Sequence, residues 1–249
     1  MFQHGHVVRE VYLKVRDLSR SIQFYSNLLN VEPYMNVSTA SFQLVGSRLI
    51  LLERPDAHQE PLGSPGLYHV AYTVNTLEGL NEVYRRTLEH NYRLLGGADH
   101  GYTYALYLTD PDGNGVEIYW DKDFYDGPLK TSPLYMDSLL EFGYDEGYRT
   151  SIGHIHIKVE SLEVAEKFFQ GKLSMDVTSR EYYGALFFSY GGYHHHIGAN
   201  IWETMHIKSS RKVGYEYIGL EGYSLKPPKN FPVKKGRYID PAGHLVNII

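Results

Sequence analysis

The chain repeats one short phrase of hydrophobic and polar positions. An alternating apolar–polar run predicts a half-buried strand. A run with apolar residues three and four apart follows it and predicts an amphipathic helix. The phrase opens at V-R-E-V-Y-L-K-V (8–15), followed by D-L-S-R-S-I-Q-F-Y-S-N-L-L-N. It returns at L-Y-H-V-A-Y-T-V (67–74) with T-L-E-G-L-N-E-V-Y-R-R-T-L-E-H, and at I-G-H-I-H-I-K-V (152–159) with S-L-E-V-A-E-K-F-F-Q-G-K-L-S. Asp17, Asn75 and Ser161 stand where each helix needs a side-chain cap. Ile22, Phe24, Tyr25, Leu28 and Leu29 make one apolar face of the first helix. Three short strand-like runs follow each helix, such as Y-R-L-L-G-G, Y-A-L-Y-L and G-V-E-I-Y-W in the second unit. A fourth unit, G-L-E-G-Y-S-L-K (219–226) and the closing strands, leaves too few residues for a comparable helix, and K-P-P-K-N-F-P-V-K-K-G reads as loop.

The predicted class is α+β, with four βαβββ-type units, the last lacking its helix. The units span 7–55, 66–121, 152–203 and 218–249. They group as a first half over 1–121 and a second half over 151–249. Residues 122–150 show no clear period and read as a linker or lid.

One strand–turn–strand motif occurs twice. Residues 105–119 read A-L-Y-L-T-D-P-D-G-N-G-V-E-I-Y, and 237–249 read R-Y-I-D-P-A-G-H-L-V-N-I-I. Each Asp-Pro-x-Gly is a tight turn between strands. The first copy carries Glu117 where the second carries Asn247, so only one can hold a cation.

Composition narrows the chemistry. The 249 residues are 43% hydrophobic and 21% charged, an ordinary globular balance. The net charge of -5 argues against a nucleic-acid surface. There are 0 cysteines, so thiolate chemistry and disulfides are excluded and any metal sits on nitrogen and oxygen. No run approaches the ~18 apolar residues of a membrane span, and the start lacks the pattern of a signal peptide. The expectation is a soluble cytoplasmic protein. The totals of 13 His and 23 Tyr are high, and both types serve pockets for metals and aromatic ligands.

Counting back five residues from the last Val of each first strand compares equivalent positions. Val15 leads to Glu10, Val74 to His69 and Val159 to His154; the fourth unit has Gly222 there. Because side chains alternate across a strand, these positions face the same side of a sheet.

The strand histidines, the repeated unit and D-P-D-G-N-G-V-E together resemble the vicinal oxygen chelate superfamily, which includes glyoxalases, bleomycin- and fosfomycin-resistance proteins and extradiol dioxygenases. D-H-G…A-L-Y-L-T-D-P-D-G-N-G-V-E and G-G-Y-H-H-H-I-G-A-N-I-W are most similar to bacterial catechol 2,3-dioxygenase-like proteins. The resemblance implies pairs of units curving into cup-shaped mixed sheets, one of them around a divalent metal. It implies His69, Glu117 and His154 as ligands, a set of two imidazoles and one carboxylate that suits a non-haem Fe(II) oxygenase. Many such enzymes pair the third unit with the fourth. Here Gly222 and Asn247 disable that pairing, so units two and three are expected to share the metal cup. The rival ligand set is Glu10, His69 and Glu117.

The resemblance also implies that Tyr107 hydrogen-bonds the substrate and that His100 lines the pocket. Direct comparison puts the acid/base histidine at His195. Strand parity, with Ile197, Ala199 and Ile201 facing the helices, instead puts His196 in the cup. His156, two after His154, is a further wall.

The leading expectation is extradiol cleavage of a catechol-like aromatic diol with O2, using one divalent metal: iron first, with Mn, Zn or Ni as alternatives. A glyoxalase-type isomerase or thiol transferase, or a non-catalytic drug-binding cup, are the other readings. The helix missing from the fourth unit leaves a sheet face that a second subunit of a homo-oligomer would cover.

Overall fold

The computed structural model describes residues 6–123, 131–204 and 215–249. Sixteen strands run in chain order: β1 Val8–Val15, β2 Tyr34–Met35, β3 Thr39–Gln43, β4 Arg48–Glu53, β5 Gly66–Val74, β6 Leu94–Asp99, β7 Thr103–Thr109, β8 Gly115–Asp121, β9 Ser132–Pro133, β10 Thr150–Lys158, β11 Asp176–Ser179, β12 Ala185–Ser189, β13 Ile197–Asn200, β14 Gly219–Leu225, β15 Gly236–Ile239 and β16 Leu245–Ile248. They form two mixed sheets. One has seven strands in the order β15-β16-β14-β1-β4-β3-β2; the other has nine, in the order β11-β12-β13-β10-β5-β8-β7-β6-β9.

Units two and three therefore share one sheet, and units one and four share the other. In each sheet the first strands of two units lie side by side and antiparallel, β5 with β10 and β1 with β14. Each of these four is flanked by a parallel strand of its own unit: β8, β13, β4 and β16. The seven-stranded sheet thus joins the two ends of the chain, and the nine-stranded sheet is built from its middle.

Helix α1, Leu18–Leu29, is capped by Asp17, whose side chain accepts from the Arg20 amide. It packs Phe24, Tyr25, Leu28 and Leu29 inward. Helix α2, Leu77–Glu89, is capped by Thr76 rather than by Asn75. Asn75 accepts instead from the Arg149 amide, at 2.6 Å, and ties down the entry to β10. In unit three the expected helix forms only as α3, Leu162–Glu166, and then widens to a π turn over Lys167–Lys172. Segment 122–150 is not structureless. It contributes the edge strand β9 and a 3-10 turn over Met136–Glu141, and its Leu139 and Tyr148 are buried. Residues 124–130 of that segment lie outside the described residues.

One apolar core joins the sheets and helices, running from Val8 and Leu13 through Tyr72 and Ile118 to Phe188 and Val246. Side chains stitch the sheets at their junction, where Ser47 Oγ meets Ser151 Oγ at 3.2 Å and accepts from the Ile152 amide at 2.9 Å. Among the described residues no helix is long and apolar enough to cross a membrane.

Candidate metal centre

The nine-stranded sheet turns its other face to a cavity of about 370 Å³. Alternation decides which side chains reach it. Ala71 pairs with Glu117, and Tyr107 with Glu117, so β5, β7 and β8 send His69, Ala71, Tyr107, Glu117 and Tyr119 to one face. Ala71, Ala105 and Tyr119 pack together as the floor, with Tyr107 against them. Small residues there leave room above for polar groups.

On β10 the register slips between Ile152 and His154, a bulge that contains Gly153. It brings His154 opposite Ala71 and His156 opposite His69. A Cβ on Gly153 would stand 1.8 Å from the Tyr119 hydroxyl, so this glycine admits that phenol beneath the histidines. Gly198 does the same for the His156 ring, 2.8 Å from where its Cβ would be.

His69, Glu117 and His154 converge. His69 Nε2 lies 2.9 Å and His154 Nε2 3.3 Å from the same Glu117 oxygen, Oε2. The two Nε2 atoms are 3.4 Å apart. One ligand atom from each residue falls within 4.8 Å of the others, the only such cluster of three among the described residues. All three are desolvated, with exposures of 5%, 4% and 2%. Burial holds His154 down to about 4, against the pull of Glu117, so its imidazole is neutral. Burial alone would raise Glu117, but His154 and His69 outweigh it and hold the carboxyl well below its usual range.

This set fits a divalent metal. It gathers one carboxylate oxygen and two imidazole nitrogens around one point, and a cation among them would satisfy all three. The Nδ1 of His154 has no hydrogen-bond partner, so the polar contacts of that ring are all on its Nε2 side.

The rival set fails. Glu10 lies on β1, in the seven-stranded sheet, and is ion-paired with Arg48; it also accepts from Tyr12, at 2.8 Å, and Ser224, at 3.1 Å. Gly222, the equivalent position on β14, backs onto the Leu245 carbonyl, 2.5 Å from where a Cβ would be.

Around the triad, His100 Nε2 lies 2.8 Å from the Tyr107 hydroxyl, and His100 Nδ1 lies 3.0 Å from Thr131 Oγ1. Burial, then Glu117, push the Tyr107 phenol far up, so it stays protonated. His195 lines the cavity with its ring 4.0 Å from that of His154. Burial, then His154, push His195 well down, and it too is neutral.

His196 does not line the cavity, contrary to the parity expectation. Its Nδ1 accepts from the Tyr190 amide, at 3.2 Å, and meets Ser189 Oγ at 2.9 Å. The reason is local. β13 begins only at Ile197, and the three histidines lie in a bend before it, where alternation does not hold. His156 is buried on the cavity wall between Tyr68 and Trp202, and its Nε2 has no partner. Tyr102, Tyr182, Phe187, His194 and Trp202 also line the cavity. Sequence reasoning missed these; Phe187 pairs with Gly198 on the cup face, and that parity was its available signal. A second, larger cavity of about 650 Å³ adjoins the first and shares Tyr68, His69 and Tyr107 with it.

The comparisons agree with this architecture. The profile of the Glyoxalase/Bleomycin resistance protein/Dioxygenase superfamily matches residues 4–118. The chain is 38% identical over 209 residues to a catechol-2,3-dioxygenase of Bacillus subtilis (strain 168), covering 76% of this chain and 73% of that one. It is 40% identical over 76 residues to a biphenyl-2,3-diol 1,2-dioxygenase of Rhodococcus globerulus, covering 30% of this chain and 40% of that one. Among solved structures, a putative dioxygenase from Bacillus subtilis matches with a TM-score of 0.67 at 12% identity, over 99% of this chain and 86% of that one. Glyoxalase I from Zea mays matches with 0.62 at 14% identity, over 97% and 91%. The chain belongs to the glyoxalase, bleomycin resistance protein and dioxygenase superfamily, the vicinal oxygen chelate proteins.

Proposed function

We propose that this protein is an extradiol dioxygenase that opens a catechol-like aromatic diol with O2, using one Fe(II) held by His69, Glu117 and His154. The observation that carries the reading is the convergence of two imidazoles and one carboxylate at one point of a buried cup. The relationship to a catechol-2,3-dioxygenase over most of the chain supports it.

When bound, a divalent iron supplies Lewis-acid polarisation of two adjacent substrate oxygens and the one-electron chemistry that O2 requires. The protein's own groups do the rest. His69, Glu117 and His154 would hold the ion against the sheet, and the cavity beside them would take the diol. Phe187, Trp202 and Tyr102 present flat apolar surfaces that bind an aromatic ring and exclude water. His195, kept neutral by burial, takes a proton from a diol hydroxyl. Tyr107, kept protonated and held by His100, offers an O–H to a substrate oxygen as charge develops there.

The isomerase reading needs a second carboxylate in the cup. Its slot candidate, Glu10, is engaged by Arg48 on the other sheet. The test is anaerobic reconstitution with Fe(II), followed by catechol and O2. The expected result is stoichiometric oxygen uptake with a yellow ring-opened product. A protein that binds iron yet consumes no oxygen with any catechol, and instead isomerises a hemithioacetal when loaded with nickel or zinc, would refute it.

A further inference from the structure

Behind His195 lies a chain of hydrogen bonds that the ring-cleavage reading does not use. His195 Nδ1 is 2.8 Å from His194 Nδ1. His194 Nε2 is 3.1 Å from Asp121 Oδ1. The Tyr193 hydroxyl donates to the other oxygen of Asp121, at 3.0 Å, and lies 2.7 Å from the Tyr119 hydroxyl. The His194 ring is fixed between aromatic neighbours, 3.9 Å from the Tyr193 ring and 4.7 Å from that of Tyr102. The bulge glycine, Gly153, makes space for the Tyr119 end of the chain. Asp121 and Glu117 are both on β8, four residues apart and so on one face.

We infer that Asp121 and His194 are positioning residues that set the tautomer of His195, leaving its Nε2 as the basic nitrogen available to the cavity. The argument is one of donors and acceptors. A carboxylate only accepts, so His194 must place its proton on Nε2 to bond Asp121. In a singly protonated His194 ring, Nδ1 then carries a lone pair. The 2.8 Å contact requires a proton between the two Nδ1 atoms, and only His195 can provide it. With its proton on Nδ1, His195 has a lone pair on Nε2. Free imidazole side chains prefer the opposite tautomer, so the relay imposes the form that a base needs.

During turnover the diol O–H bond breaks and an Nε2–H bond forms on His195. The imidazolium that results keeps its Nδ1–H bond to His194, and Asp121 stabilises the charge through His194. The proton returns from Nε2 when the product oxygen needs it, so nothing is gained or lost over the cycle. The same logic, an acidic residue orienting a catalytic imidazole, operates with one more ring inserted.

This inference rests on the ring-cleavage reading for its purpose but not for its test. Histidine-selective ¹⁵N labelling of the metal-free protein reports the tautomer of each ring near neutral pH. The His195 signals are assigned by their loss in His195→Gln. The expected result is a proton on Nδ1 of His195 in the unaltered protein, shifting to Nε2 in His194→Ala and in Asp121→Ala. A proton on Nε2 in the unaltered protein overturns the inference, with no variant needed. In the iron-loaded enzyme both variants are expected to lower kcat by about tenfold or more while iron content stays constant, and KM stays constant in Asp121→Ala, whose side chain lies outside the cavity lining. An unchanged kcat in both overturns the positioning role. An unaltered protein with the expected tautomer that cleaves no diol supports the relay and refutes the ring-cleavage reading instead.

Discussion

The Nε2 atoms of His69 and His154 stand 3.4 Å apart, although 85 residues separate them along the chain. They meet because β5 and β10 are neighbours at the centre of one sheet and a bulge at Gly153 sets their register. Glu117, from β8, completes the set.

Removing any one of the three should abolish tight metal binding. His69→Ala, Glu117→Ala and His154→Ala are each expected to weaken Fe(II) affinity by on the order of 100-fold or more. Metal analysis after dialysis reads this, with circular dichroism confirming the fold. Full metal retention in any one of them counts against the ligand set.

Glu10 occupies the equivalent position on β1 but serves the other sheet. Glu10→Gln should leave metal content unchanged and lower stability only slightly, about 0–1 kcal/mol, because the Arg48 partner is partly exposed. Metal loss in this variant would revive the site built from units one and two.

Tyr107→Phe removes the hydroxyl that His100 holds. It should keep iron and reduce kcat by roughly 10–100-fold, the worth of one hydrogen bond to a developing charge. Equal kcat in the two proteins would place Tyr107 in the wall alone.

The repeated turn yields a pH test with opposite signs in its two copies. Asp110 Oδ1 accepts from the Asp112 and Asn114 amides, and Asp240 Oδ1 from those of Ala242 and His244. Tyr25 and Tyr223 donate to the second oxygen of each, both at 3.1 Å. The fourth residue after the Asp differs. Burial pushes Asp110 up to about 6, with Asn114 only partly opposing it. Burial would raise Asp240 too, but His244 outweighs it and the value falls below the usual range. The stability that Asp110 contributes is thus full below its ordinary 3.8 and lost as pH rises through about 6. The swing is on the order of 3 kcal/mol at most. That of Asp240 is present above 3.8 and lost as pH falls through its lowered value. Melting temperatures across this range should show Asp110→Asn closing on the unaltered protein as pH rises, and Asp240→Asn closing on it as pH falls. Parallel curves for both would contradict the assignment.

Much of this is legible in the sequence. Equivalent positions in three first strands follow from alternation, and the pairing of units two and three follows from Gly222, which has no side-chain ligand, and Asn247, which lacks the charge of Glu117. Legibility ended where local order depends on distant contacts. Alternation carried back from Ile197 points His196 into the cup, but β13 starts only at Ile197 and the alternation does not reach His196. The helix of unit three had regular apolar spacing, yet it turns π at Lys167, and nothing local signals that. Segment 122–150 carries no period because β9 is two residues long and takes its order from β6. Asp121 could have been found: it shares strand parity with Glu117 and lies four residues beyond it.

The central claim is that one ion sits among His69, Glu117 and His154. Crystals grown anaerobically with Fe(II) and measured at the iron absorption edge test it directly. The account expects one anomalous peak per chain, within bonding reach of both Nε2 atoms and a Glu117 oxygen. A peak on the seven-stranded sheet near Glu10, or none in the cup at full iron loading, would contradict it.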